Sequence, residues 1–515
     1  MPRSALRLAA ALVALLGSTA HADTLFDNVE GLTFDEHGRP EPLTGLVIGT
    51  DGRVVQVLHK GDKPARVDYR VDGNGRFLLP GFVDSHAHVM ALGFAALTLD
   101  LSPAKTLDEA LARIAVYSAA HPDRPWLLGR GWDPVKWGAW PRAADLDRVV
   151  GDRPAWLVSA DGHAGWANSA ALVAAKVTAT TPAPAGGRIE RQGPAPSGIF
   201  HETAMDLIAR AVPEPRPEDR DLALAEAQTA LLRRGVTTVT DMATSMADWQ
   251  AFRRAGDAGR LQLRIVGYAP DAETMSLIGG PGPSPWLYDD RLRFNGLALV
   301  LDGKAFSPGA WSKVGGGTPR LNQTQLRNLM SRAGIDRFQV SVEAHGSAAV
   351  GAALDAVGEL ARTYTGERRW RIEGAEETDA ADLPRFGADV AAVLPATIGP
   401  AAAASQTTVR VAFGTGTPDG NGNPFAALVA ASTRPDGLPR QQALAALTLA
   451  PAWAAWAEGK VGRLAPGLRA DFILVDRDPL LASAADLAET NVLETWVGGR
   501  KVWAAETSPG GGAGR

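Results

Sequence analysis

The sequence predicts an α/β protein built on a closed (β/α)8 barrel of the TIM type, with a small β-sandwich made from the two chain ends. Three observations predict it. Eight short apolar runs alternate with Ala/Leu-rich helical stretches across the middle of the chain, the pattern of parallel strands buried under helices. Strand-and-turn segments occur at both ends, outside that alternation. Two histidines, His86 and His88, follow the first run at once, and the C-terminal ends of barrel strands are where such folds carry chemistry.

The elements follow in order. Residues 1–22 read as a secretory signal: Arg3 and Arg7 supply positive charge, Leu8 to Leu16 an apolar stretch, and Ala20-His21-Ala22 a small-x-small cleavage site. This predicts export, periplasmic or secreted. Residues 23–78, with Asp51-Gly52 between two apolar runs, read as a hairpin-rich segment. Residues 455–505 read likewise, with Gly498-Gly499 as a turn, so the two ends are expected to form one sandwich. Residues 79–454 form the barrel. Its runs are Leu78–Asp84, Val236–Thr240, Leu263–Val266, Gly296–Leu301, Phe338–Val342, Trp370–Ile372, Val390–Leu394 and Val409–Phe413. An open doubly wound sheet is the alternative topology. Residues 125–215, rich in Trp, Pro and Gly, break the rhythm and read as an insertion leaning over the barrel mouth. Residues 506–515 are a Gly-rich tail, expected to be disordered.

Composition narrows the function. The chain of 515 residues is 45% hydrophobic and 21% charged, with a formal net charge of −5, ordinary for a globular protein. No basic block marks a nucleic-acid partner. No stretch after the signal is long and apolar enough for a membrane span, so a small-molecule substrate is the expected partner. There is no cysteine, which removes disulfides, thiolate metal sites and cysteine nucleophiles. Any metal must be held by His, Asp, Glu or a modified Lys.

The segment Pro80-Gly-Phe-Val-Asp-Ser-His86-Ala-His88 is the strongest chemical signal. Residues i and i+2 of a strand share a face, so His86 and His88 would converge on one ion in the mouth. Neutral imidazole suits zinc and similar ions. A hydrogen-bonded pair without metal is the other reading.

With these residues the chain resembles the amidohydrolase superfamily, in the branch that includes N-substituted formamide deformylase. The resemblance spans nearly all of the mature chain. It includes Gly131-Trp-Asp133, Asp161-Gly-His163, Ser197–Glu202, Asp302-Gly303 and Gly462–Asp471. It implies hydrolysis of a non-peptide carbon–nitrogen bond by a metal-activated water. It also implies ligands that this chain lacks. A fourth-strand Lys is replaced by Ala298, and a fifth-strand His by Glu343. A sixth-strand Arg-Ile-Glu-His becomes Arg371-Ile-Glu-Gly374, and an eighth-strand Gly-Ser-Asp becomes Gly414-Thr-Gly416. His345 is the one histidine after His201.

One divalent ion, zinc by ligand type, held by His86, His88 and Glu343, is the expected site, with His345 on the same inward face as Glu343. Candidate general bases are Glu343, Asp302 and Asp419. Asp161, His163 and Trp132 in the insertion, with His345, are expected to contact substrate; Trp137, Trp140 and Trp166 extend an aromatic wall or, alternatively, a core. His201-Glu202 stands at a possible helix start, where Glu202 would cap. Three functions compete: a divergent mononuclear hydrolase of an amide or imide, a catalytically inactive binding protein that keeps the fold, and a metal-free enzyme using Glu343 and His345 as an acid–base pair.

Overall fold

The computed structural model describes residues 23–64, 67–184, 186–302, 319–387, 389–395, 409–418, 422–434 and 437–506. The expected signal segment, the tail from Ser508 and Asp419 lie outside them. The chain divides into two compact units, one of residues 1–87, 230–246 and 256–515, the other of 88–229 and 247–255. Among the described residues no helix is long and apolar enough to cross a membrane.

The first unit contains the barrel. Eight parallel strands lie side by side in chain order: Phe82–Ala87, Val236–Asp241, Arg264–Ala269, Leu292–Val300, Gln339–Glu343, Trp370–Glu373, Val390–Pro395 and Arg410–Gly414. The last returns to the first through a parallel bridge, Ala87 to Thr417, and through Gly416 N–H donating to the His86 carbonyl at 2.9 Å. Seven of the eight apolar runs became barrel strands outright, and the second part of the first run became the remaining one. The second and third strands are buried at every residue, which is why neither reads as an alternation of apolar and polar residues.

The first run divides in two. Leu78 to Pro80 end the strand Tyr69–Pro80, which pairs antiparallel with Phe472–Val475. Gly81 then hands the chain to the barrel. The segments from the two chain ends thus share one eight-stranded sheet, joined by pairing as a single sheet where a sandwich was expected. Phe26, Ile48, Val54, Leu78, Phe472 and Trp496 form one core cluster, so the sheet curls over its own apolar face. Gly498 and Gly499 both have positive φ (58° and 69°) between Val492–Val497 and Arg500–Ala504, as a two-residue hairpin turn of the right twist requires.

The barrel's N-terminal end is closed by the helix Leu449–Ala454 and the turn after it. The Gln339 amide donates to the Ala454 carbonyl at 2.8 Å, Arg369 to Trp453 at 2.8 Å and Arg293 to Trp456 at 3.1 Å. Above them a polar layer crosses the interior: Tyr268 and Asn295 both donate to the Gln339 amide oxygen, at 2.5 and 2.7 Å. Buried polar groups of this kind stand only when hydrogen-bonded.

The second unit has its own six-stranded sheet, in the order Gly187–Gln192, Ala195–Glu202, Ala164–Ala167, Ala155–Ser159, Leu127–Trp132, Leu99–Asp100. It begins at Leu99, well ahead of residue 125, because the helix Leu107–Ala120 packs into the same core through Ala110, Leu111 and Ile114.

Candidate functional site

Strand alternation builds the mouth of the barrel. On the sixth strand Arg371 and Glu373 share the inward face, as do Ser341 and Glu343 on the fifth. Glu373 is the hub. Its carboxylate accepts from Ser341 Oγ at 2.6 Å, from Arg371 Nε at 2.8 Å and from His86 Nδ1 at 3.0 Å. Burial opposes its charge, but the Arg371 guanidinium and then His86 outweigh that and bring its pKa down to about 2. Arg371 is fully buried, donates to the Ser85 carbonyl and lies over the Tyr268 ring, 5.3 Å from the centroid. Burial works against a charge on His86 too; the hydrogen bond to Glu373 and the Glu373 and Glu343 carboxylates prevail and raise its pKa. Asp84, beside it, accepts from Thr415 N–H at 2.9 Å, Thr415 Oγ at 2.5 Å and His86 N–H at 3.1 Å, and burial raises its pKa.

A second group adjoins the first. His345 Nε2 lies 2.8 Å from Glu343 Oε1 and its Nδ1 lies 3.2 Å from Glu376 Oε1. Glu343 retains 29% side-chain exposure; the Glu376 side chain has none. Burial disfavours the imidazolium, yet the two carboxylates overcome this and push its pKa up to about 10. Asp302, a candidate base, is almost wholly buried. Its two oxygens accept the backbone N–H groups of His345 and Gly346, both at 2.9 Å, ahead of the helix Ser347–Leu360. Asp302 therefore anchors backbone and sets where His345 stands, a correction to its expected catalytic role.

The expected metal set was His86, His88 and Glu343. The first strand stops at Ala87, and His88 stands at the N-cap position of the helix Val89–Leu97 without a side-chain capping bond, so strand alternation does not extend to it. His86 has the arrangement that suits a ligand, one ring nitrogen tied to a carboxylate. The other donors do not follow. Glu343 Oε1 and both nitrogens of His345 are engaged with one another and with Glu376, while Ala298 and Gly416 offer no donor. A catalytic zinc takes three protein ligands; among the described residues no group of three His, Asp or Glu side chains is arranged to hold a metal ion. The residues do not fit the ion that the sequence led one to expect.

In the second unit, Asp161 accepts from Ser159 Oγ at 2.5 Å and from His163 N–H at 3.0 Å, the bonding of a loop turn. His163, largely exposed, pairs with Glu202 at 3.0 Å, and Glu202 makes no side-chain cap. Trp132 is fully buried, donates to the Leu157 carbonyl at 2.9 Å and packs edge-on against Trp166 and Trp140. It belongs to the core of that unit, not to a substrate wall. In the first unit an open groove of about 730 Å³, lined by Arg362, Trp370, Arg385 and Asp389, lies between the end of the helix Ser347–Leu360 and the starts of the sixth and seventh strands, and holds none of the expected residues.

Sequence reasoning missed Arg371, Glu373 and Glu376 as site residues. The first two were open to it: a buried strand bearing Arg and Glu at i and i+2 must pair them. Glu376 gave no signal, because it reaches the site from the 3-10 turn Ala375–Glu377.

The amidohydrolase family model matches residues 70–503. The chain belongs to the amidohydrolase family. It is similar to Protein LONG AFTER FAR-RED 3 of Arabidopsis thaliana, 27% identical over 493 residues, covering 84% of this chain and 83% of that one. It is similar also to N-substituted formamide deformylase of Arthrobacter pascens, 26% identical over 480 residues, covering 83% and 89%. An uncharacterized metal-dependent hydrolase from Pyrococcus horikoshii shares the fold at a TM-score of 0.76 and 21% identity, covering 90% of this chain and 99% of that one.

Proposed function

We propose that this amidohydrolase-family chain is a hydrolase of a small-molecule carbon–nitrogen bond, of the amide or imide type, acting at the C-terminal mouth of its barrel. The observation that carries the reading is the pair of neighbouring groups at the strand ends, His86 with Glu373 and Arg371, and Glu343 with His345, close enough for the Glu343 charge to act on His86. Family membership and the deformylase relative support it.

Glu343 is the partly exposed carboxylate of the two groups and takes the proton of the attacking water. The water oxygen bonds to the carbonyl carbon; as the carbon–nitrogen bond breaks, His86, held charged by Glu373, gives its proton to the departing nitrogen. Proton transfers of this kind contribute roughly 10²–10⁴-fold. Turnover of N-substituted formamides, cyclic imides and N-acyl amines is the test. His86→Ala and Glu343→Gln should each lower kcat/KM by about 100-fold or more; a substrate turned over equally by both variants refutes the assignment.

A second reading has its own support. The mouth's donors and acceptors largely satisfy one another, which suits a catalytically inactive binding protein. That reading predicts saturable binding of such compounds by calorimetry without turnover. The charged start and apolar stretch of residues 1–22 support export, which cell fractionation tests by placing the chain outside the cytoplasm.

A further inference from the structure

We infer that this barrel mouth is rebuilt around an internal imidazole in place of a divalent ion: His345 stands where the family's sixth-strand histidine would stand, and Gly374 is the residue that admits it. Gly374 has a φ of +73°, and a Cβ built on it would lie 2.2 Å from His345 Nδ1, 2.4 Å from Cε1 and 3.0 Å from Cγ. No side chain at position 374 is compatible with the ring in that place. The loss of a histidine at 374 and the presence of one at 345 are therefore a single event in space, although 29 positions separate them in sequence.

The ring is held on every side. Asp302 fixes its backbone through the His345 and Gly346 N–H groups. Glu343 takes one ring nitrogen and Glu376 the other, so neither is left to coordinate a cation while those bonds stand. The clamp ties the end of the fifth strand to the turn after the sixth. Among the described residues Glu376 Oε2 is buried with no hydrogen-bond partner; a carboxylate kept at that cost points to a retained role for the clamp. At position 416 a Cβ would meet nothing within 4 Å, but the residue stands at φ +63°, a backbone conformation that side chains rarely adopt. The mouth has given up the eighth-strand carboxylate together with the sixth-strand imidazole.

Two measurements on the full-length protein test this, and neither depends on turnover. A thermal-unfolding double-mutant cycle compares Gly374→Ala, His345→Ala and the double variant. Gly374→Ala should be strongly destabilising alone and clearly less so when His345 is already alanine, because the colliding ring is gone; additive effects overturn the pairing. If Gly374→Ala fails to fold, recovery of folded protein in the double variant gives the same answer. Zinc chloride and manganese chloride are then titrated calorimetrically. The wild type should bind less than ~0.2 equivalents, since a real site binds its ion. Near-stoichiometric binding that is lost on His86→Ala overturns the replacement. Failure to find a substrate would sink the proposed hydrolysis and leave both of these outcomes standing.

Discussion

Replacing Glu373 by Gln preserves the shape of the side chain and removes the charge around which three donors are arranged. Glu373 is 2% exposed, and its pKa falls from 4.5 to about 2 in the fold. At about 1.36 kcal/mol per pH unit, ionising it here instead of in the unfolded chain is worth roughly 3 kcal/mol at neutral pH. The Gln variant loses that; the same loss seen from the other partner is an Arg371 guanidinium buried without a counter-charge, which typically costs about 3–5 kcal/mol. Because the folded pKa is depressed, the contribution is complete above pH 4.5 and fades as pH falls through about 2. Urea unfolding of wild type and variant should therefore differ by ~3 kcal/mol at pH 7 and by less than half as much at pH 3. His86 should also titrate at lower pH in the variant, read from its ring proton by NMR. A difference under ~1 kcal/mol at pH 7, or the same difference at both pH values, refutes the view that Glu373 is an ionised hub.

Other perturbations give sharper tests of single contacts. The pKa of His345 is raised from 6.5 to about 10, so the stability it lends is complete below pH 6.5 and disappears as pH climbs through about 10; melts at pH 6, 8 and 10 should show the wild type losing its advantage over His345→Gln, and parallel curves would contradict the clamp. Arg264 and Asp471 form a buried bidentate pair, at 2.5 and 2.8 Å, between the third barrel strand and the end sheet; Asp471→Asn should cost about 3–5 kcal/mol in urea unfolding, and a neutral result would show the charge to be dispensable. Trp132→Ala should destabilise the second unit by about 3–5 kcal/mol, seen in unfolding; loss of ligand affinity at unchanged stability would return this residue to a pocket wall.

Periodicity alone disclosed much of the architecture. A strand buried on both faces is largely apolar or β-branched, so eight such runs between helical stretches announced eight barrel strands, and Val236–Asp241 and Arg264–Ala269 lie where they were expected. The hairpin at Gly498-Gly499 was equally legible, since two consecutive positive-φ residues call for glycine. Glu343 and His345 do meet at 2.8 Å, although the strand ends at Glu343, so strand alternation is not what pairs them. The sequence also determined that a full family ligand set is absent, because no histidine exists after His345 to supply it.

What only the tertiary structure decided was which donors remain available to a ligand. Composition and spacing count potential ligands, whereas a hydrogen bond consumes one, and its partner can lie anywhere in the chain. His86 finds Glu373 across 287 positions, and His345 finds Glu376 on an irregular turn that no period announces. Trp132 went into a core for the same reason: an indole serves equally in a wall or an interior, and burial by distant neighbours settles which. The glycine at 374 carries the point furthest, reading as a mere loss in one dimension and in three as the space that a histidine from the loop after the fifth strand fills.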